Sequence, residues 1–146
     1  MVRDVKESSE IANQLRPVLL RLARELRREV HSLGVTGSQV SLLVVVKHAP
    51  GITSAELAER ERVSAPAMSN HVARLESLGL ISRVREGEDR RRVGLALTAQ
   101  GEKVLRSVRT RRTAWLARRI QRLSDDECAA VEAAVGPLEK LLGDGE

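Results

Sequence analysis

Apolar residues recur at three- and four-residue steps through most of this chain, and each stretch of that rhythm predicts a helix. In residues 9–33, Ile11, Leu15, Val18, Leu22, Leu26 and Val30 make one stripe with arginines and glutamates elsewhere, an amphipathic pattern. Pro17 lies inside it and should kink the helix or mark where its regular part begins. Gly34 supplies the stop. Thr36 or Ser38 caps a second helix through Gln39, Leu42, Leu43, Val46 and Lys47, which ends at His48-Ala49-Pro50-Gly51. Thr53 or Ser54 caps a third and Ser64 a fourth, and Gly79 closes the fourth. The rhythm then changes to two strand-like runs, 81–85 and 91–97, paired antiparallel about a polar tip, Glu86-Gly87-Glu88-Asp89-Arg90. Thr98 caps a long fifth helix, 99–123, with Val104, Leu105, Val108, Trp115, Leu116 and Ile120 on its apolar face. Ser124-Asp125-Asp126-Glu127 has capping-box spacing before a sixth helix striped by Val131, Val135, Leu138, Leu141 and Leu142. Gly136-Pro137 should bend or interrupt that last helix.

This order describes a mainly α protein with a small two- to three-stranded β-wing. Helix, turn, helix and hairpin in that order suit a winged helix-turn-helix, with a helical dimerisation region expected around it. Residues 1–146 read as one domain, with 36–98 as the DNA-binding core and 1–35 and 99–146 as the dimerisation region. The outer helices carry stripes that one small module would struggle to cover alone. A homodimer through the termini covers them, and an intramolecular bundle is the plainer alternative.

Composition narrows the class. The 146 residues are 42% hydrophobic and 31% charged, which fits a globular domain and excludes a disordered one. No apolar run approaches bilayer length and the first residues lack a signal-peptide core, so no membrane partner and a cytoplasmic location are expected. The single Cys128 can form no internal disulfide, in keeping with a reducing compartment. The net charge of +5 and pI near 10.3 come mostly from arginine, whose planar fork suits phosphate and guanine. There is no Phe or Tyr and one Trp, against single-strand modules that stack bases on aromatic platforms.

Projected at 100 degrees per residue, Met68, Val72, Leu75 and Gly79 of the fourth helix fall together and face the core. Pro66, Ser69, Asn70, Ala73, Arg74 and Ser77 lie opposite, a small and polar face that lets the backbone come close to base edges. Asn70 can pair with adenine, Arg74 with guanine or phosphate, and Ser69 with either. An ordinary solvated face would look similar, but the hairpin that follows favours DNA. Arg90, Arg91 and Arg92 sit at or beside its tip, with Arg83 and Arg85 on the incoming strand, and arginine suits a narrow minor groove. Asp89 could hold one of these arginines by a salt bridge. The plainer reading of the tip is a charged turn that discourages edge pairing.

These residues carry a resemblance. Leu57-Ala58, Ser64, Met68-Ser69, Val72, Leu75-Glu76, Leu78-Gly79-Leu80-Ile81, Arg83, Asp89-Arg90-Arg91 and Leu97-Thr98-x-x-Gly101 closely resemble the MarR family of bacterial winged-helix regulators. Ser38-Gln39, Leu42-Leu43 and the long fifth helix extend the likeness over nearly the whole chain. The resemblance implies a homodimer on a palindromic double-stranded operator, usually a repressor, weakened by small anionic or phenolic effectors. It puts the helix 64–74, starting at Ser64, in the major groove and Arg91 in the minor groove.

Other chemistry finds little support. His31, His48 and His71 show no spaced metal-ligand set with Cys128, so no metal and no cofactor are expected. His71 flanks the core face of the fourth helix and reads as a packing or phosphate-contact residue. Cys128, in the first turn of the sixth helix, reads as a buried structural cysteine, with a thiol activated by the helix dipole as the alternative. Peroxide-sensing relatives carry theirs near the N-terminus, where this chain has none. Arg111, Arg112, Arg118 and Arg119 could pair with acids of a partner subunit such as Asp125–Glu127, meet an effector carboxylate, or face solvent. No nucleophile–base pair or phosphate loop suggests catalysis, and no effector-binding residue can be assigned. The alternatives to a sequence-specific regulator are a sequence-indifferent architectural DNA-binding protein and a helical protein-interaction module.

Overall fold

Side-chain caps set where most of the helices begin. In the computed structural model, which describes residues 2–85 and 91–143, the order is α1 (Val5–Arg28), a 3-10 turn (His31–Leu33), α2 (Gly37–His48), α3 (Ser54–Glu61), α4 (Ala65–Ser77), β1 (Ile81–Arg85), β2 (Val93–Leu97), α5 (Ala99–Ile120) and α6 (Asp125–Leu141). Thr36, not Ser38, caps α2: the Gln39 N–H donates to Thr36 Oγ1 at 3.1 Å and the Thr36 N–H to Gln39 Oε1 at 2.9 Å. Thr53, not Ser54, caps α3, accepting from the Glu56 N–H at 3.1 Å. Ser64 accepts from the Ala67 N–H at 3.2 Å. Thr98 Oγ1 accepts from the Gly101 N–H at 3.0 Å and donates to the Gly79 carbonyl at 2.6 Å, tying the start of α5 to the end of α4.

Both prolines inside helical patterns are accommodated without interruption. α1 starts at Val5, earlier than the stripe indicates, and runs through Pro17 to Arg28. A proline there removes one backbone bond of a 24-residue helix, and the other turns remain. Val30, fully buried, and Leu33 follow in the turn, where Gly34 adopts the left-handed conformation (φ 80°). α6 likewise passes through Gly136-Pro137. The missing Cβ at Gly136 relieves the clash that a proline imposes on the residue before it.

The chain divides into two compact units, residues 1–112 and 113–146. The core of the first joins Val30 and Val35 to Leu43 and Val46 of α2, Leu57 of α3, Met68, Val72 and Leu75 of α4, Leu95 of β2, and Leu105 and Val108 of α5. Burying each such side chain is worth about 1.5–3 kcal/mol. Gly79 is an exception to the projected face: it is exposed, at φ 73°. The helix has ended at Ser77, so the 100-degree rotation no longer applies to it.

β1 and β2 pair antiparallel, Ile81 opposite Leu97 and Arg85 opposite Val93. Among the described residues the wing has these two strands. A third is reduced to two backbone bonds from the α2–α3 turn: the Gly51 N–H to the Leu95 carbonyl (2.9 Å) and the Leu95 N–H to the Ile52 carbonyl (2.8 Å). β2 begins at Val93, so Arg91 and Arg92 precede the strand.

α1 buries no residue: Ile11, Val18 and Leu22 on its stripe are 44%, 52% and 39% exposed. In the second unit α6 also buries none, with Val131 and Val135 exposed. Trp115 is buried, with Arg119 stacked 3.8 Å from its ring centroid. Cys128 is half-buried, its thiol 3.4 Å from the Ile120 carbonyl.

Candidate DNA interface

α4 is built to show one face and hide the other. Met68, Val72 and Leu75, at three- and four-residue steps, are at most 1% exposed. That fixes the roll of the helix and turns Ser64, Pro66, Ser69, Asn70, Ala73 and Arg74 outward, all exposed. Pro66 stands in the first turn, where its missing N–H costs no bond. The Ser64 hydroxyl is occupied by the cap, leaving Ser69 and Asn70 as the small polar side chains of the outward surface.

The wing is pinned beside this helix by two carboxylates, neither of which the sequence marked as a site residue, although Glu76 belongs to the motif that carries the family resemblance. Arg83 of β1 donates from Nε to Glu76 Oε2 of α4 at 2.8 Å. Arg92, just before β2, reaches Glu56 Oε1 of α3 at 2.7 Å. The Thr53 hydroxyl donates to the same Glu56 oxygen at 3.2 Å. Of the wing residues singled out above, Arg83, Arg85, Arg91 and Arg92 are all exposed, Arg83 and Arg92 within the ion pairs just described, and Asp89 and Arg90 lie outside the described residues. A signal for Glu76 existed: a glutamate in the last turn of a helix opposes the helix dipole, so its placement calls for a partner.

Behind the outward face a cavity of about 530 Å³ is lined by Arg27, Thr36, Gln39, Leu42, Met68 and His71, among others. The Arg27 stem crosses the first turn of α2, where a Cβ on Gly37 would come 2.7 Å from Arg27 Cγ. His71 is exposed and opens onto this cavity rather than into the core. Of the fifth-helix arginines, Arg112 donates from Nε to the Leu26 carbonyl at 3.1 Å. Partial burial, and then the charge of Arg27, hold its guanidinium below the usual arginine range. Arg119 lies over Trp115, while Arg111 and Arg118 are exposed. Among the described residues no group of three His, Cys, Asp or Glu side chains could hold a metal ion. No single helix among them is long and apolar enough to cross a membrane.

Residues 33–92 match the sequence model of the MarR family. The chain is 32% identical over 134 residues to an uncharacterized HTH-type transcriptional regulator of Mycobacterium bovis, covering 92% of this chain and 94% of that protein. It is 30% identical over 119 residues to the HTH-type transcriptional repressor MdtR of Bacillus subtilis, covering 82% and 77%. A mutant of MepR from S. aureus, bound to an oligodeoxyribonucleotide, shares the fold with a TM-score of 0.69 at 21% identity, over 90% of this chain and 97% of that one. A winged helix-turn-helix with these relatives is no enzyme: the chain belongs to the MarR family of DNA-binding transcriptional regulators.

Proposed function

We propose that the protein is a sequence-specific, cytoplasmic repressor that binds a palindromic operator as a homodimer and is released by a small anionic or phenolic effector. The observation that carries the DNA reading is the outward face of α4, set by the burial of Met68, Val72 and Leu75. Ser64, Pro66, Ser69, Asn70 and Arg74 enter the major groove along it, with Asn70 offered to adenine and Arg74 to guanine or phosphate. Arg91 and its neighbour Arg90 enter the adjacent minor groove, where a narrow groove concentrates negative potential. Arg92 adds to the basic side of the wing, and Asp89 supports the tip arginines. The S. aureus MepR mutant of the same fold, bound to an oligodeoxyribonucleotide, supports DNA as the partner, and the B. subtilis relative named a repressor supports the direction of control.

Residues 36–98 then form the DNA-reading core, and 1–35 with 99–146 the dimerisation region. The exposed apolar residues of α1 and α6 support the homodimer, because a 24-residue helix with Ile11, Val18 and Leu22 exposed contains no buried residue of its own. A stable monomer in sedimentation at micromolar concentration would remove the dimer. For the effector, the cavity between Arg27 and α4 offers hydroxyl and amide groups over Leu42 and Met68, with Arg27 and Glu61 both on its wall, chemistry that suits a phenol or, beside Arg27, a carboxylate. Titrating the DNA complex with aromatic acids tests release directly.

Selection of bound DNA fragments tests the groove reading. Asn70→Ala is expected to relax one position of each half-site, at a cost there of about 1–3 kcal/mol, leaving the other positions intact. An unaltered preference at every position would take Asn70 out of the interface.

A further inference from the structure

Two carboxylates on different helices hold the wing, Glu76 of α4 and Glu56 of α3. Glu76 stands in the last turn of α4, where the helix dipole disfavours negative charge. Glu56 stands in the first turn of α3, where the dipole favours it, but its oxygen takes both the Thr53 hydroxyl and Arg92. Both belong to a module that meets a polyanion, in which each acid opposes binding. As plain surface pairs they would add little to stability, since all four side chains are about half-exposed (43–54%). What they share is their connectivity. Each strand of the wing is tied by one ion pair to a different helix of the helix-turn-helix: β1 to α4 through Arg83–Glu76, and the entrance of β2 to α3 through Arg92–Glu56. The backbone bonds between Leu95 and the 51–52 turn hold the middle of β2 from a third point.

We infer that Glu56 and Glu76 are positioning residues for DNA recognition: without touching DNA, they set the angle between wing and α4, and Arg92 serves as the anchor of one strut, not as a phosphate contact. The inference rests on the reading in which α4 and the wing occupy adjacent grooves. Two fixed points at the base are what a two-stranded ribbon needs, because a hairpin held only by its own ladder is marginal and free to swing. An arginine bonded to a carboxylate at 2.7 Å is also partly neutralised, so it contributes less to counterion release than an unpaired one.

The test uses the full chain and a duplex obtained by selection, with binding measured at several salt concentrations and position preferences read from bound fragments. Variants are Glu56→Gln, Glu76→Gln, Arg92→Gln, Arg91→Ala and the reversed pair Glu56→Arg with Arg92→Glu. Glutamine at position 56 keeps a side-chain oxygen to accept from the Thr53 hydroxyl, and thermal unfolding reports any loss of fold. The expected result is that Glu56→Gln and Glu76→Gln flatten preference only at the half-site flank read by the wing. Major-groove positions stay unchanged. Glu56→Gln and Arg92→Gln should be non-additive by about two- to five-fold in affinity, the range of an exposed ion pair. Arg92→Gln should leave the salt slope unchanged, and the reversed pair should restore flank preference. Additive effects with a salt slope lowered by about one in Arg92→Gln would make Arg92 a phosphate contact and overturn the inference. So would uniform tightening by the two glutamate variants with flank preference intact. Should Arg91→Ala also leave flank preference and affinity unchanged, the groove reading itself fails, and the inference with it. Should a glutamine variant unfold, Arg92→Gln and the reversed pair decide the question alone.

Discussion

Gly94→Ala is the sharpest perturbation of the link between wing and helix-turn-helix. Gly94 is buried in β2 opposite Val84, and a Cβ there would stand 2.8 Å from Gly51 Cα and 2.9 Å from the Gly51 carbonyl oxygen. Ordinary contact begins near 3.4 Å, so the strand must retreat by about 0.6 Å, and what it meets is backbone that cannot rotate away. Overpacking of this kind costs about 1–3 kcal/mol. The retreat also stretches the two bonds that tie Leu95 to Gly51 and Ile52, each worth about 0.5–1.5 kcal/mol. A total loss of about 2–4 kcal/mol follows, or about 5–15 °C in Tm for a chain of this size. Thermal unfolding by circular dichroism at one fixed protein concentration reads it. DNA affinity should fall beyond what unfolding explains, because the wing shifts relative to α4. A Tm within about 1 °C of the parent, with affinity intact, would refute the reasoning.

Four further outcomes are expected. Arg91→Ala should weaken DNA binding and lower the salt slope by about one unit; unchanged slope and affinity would remove Arg91 from the interface. Pro137→Ala should raise Tm, because a proline inside α6 costs up to about 3 kcal/mol relative to alanine, and a lower Tm would show that Pro137 makes a contact worth more than its backbone cost. The Glu127 carboxyl is held below its ordinary value, first by the Ser124 backbone N–H and then by the Ser124 hydroxyl. Its contribution to the α6 cap is therefore complete above the ordinary carboxyl value near 4.5 and lost as pH falls through the lower folded value. An NMR titration of the Ser124 amide should show a midpoint below 4.5 that Glu127→Gln abolishes; a midpoint above 4.5 would contradict the cap geometry. Leu22→Glu on the α1 stripe should dissociate the proposed homodimer in sedimentation, and an undisturbed dimer would place the interface elsewhere.

Local signals make most of the fold legible in the amino-acid order alone. Capping residues and apolar periods locate six helices, since each depends on neighbours within four positions, and the change of period marks the two strands. Where the local pattern misleads, a tertiary contact or a local relief of strain decides. Pro17 and Pro137 do not break their helices, because one lost bond is tolerated in a long helix and Gly136 removes the pre-proline clash. Gly79 leaves the core face because the chain has already departed from the helical screw. The outward face of α4 follows from its apolar period alone. Glu56 and Glu76 do not, because a salt bridge between segments 7 or 36 residues apart leaves no periodic mark. The same holds for Arg112, whose bond to the Leu26 carbonyl spans 86 residues and takes it out of the set of solvent-facing arginines. The Gly94–Gly51 approach is hidden for a similar reason: a glycine in a strand signals a close approach without naming the partner.

Competition binding between a selected operator and random duplex at fixed, near-physiological salt tests the central claim most directly. A sequence-reading homodimer is expected to prefer its operator by roughly 10³-fold or more, with selected sites showing inverted half-sites about one helical turn apart, roughly 34 Å. Equal affinity for both duplexes, with no inverted repeat emerging from selection, would contradict it.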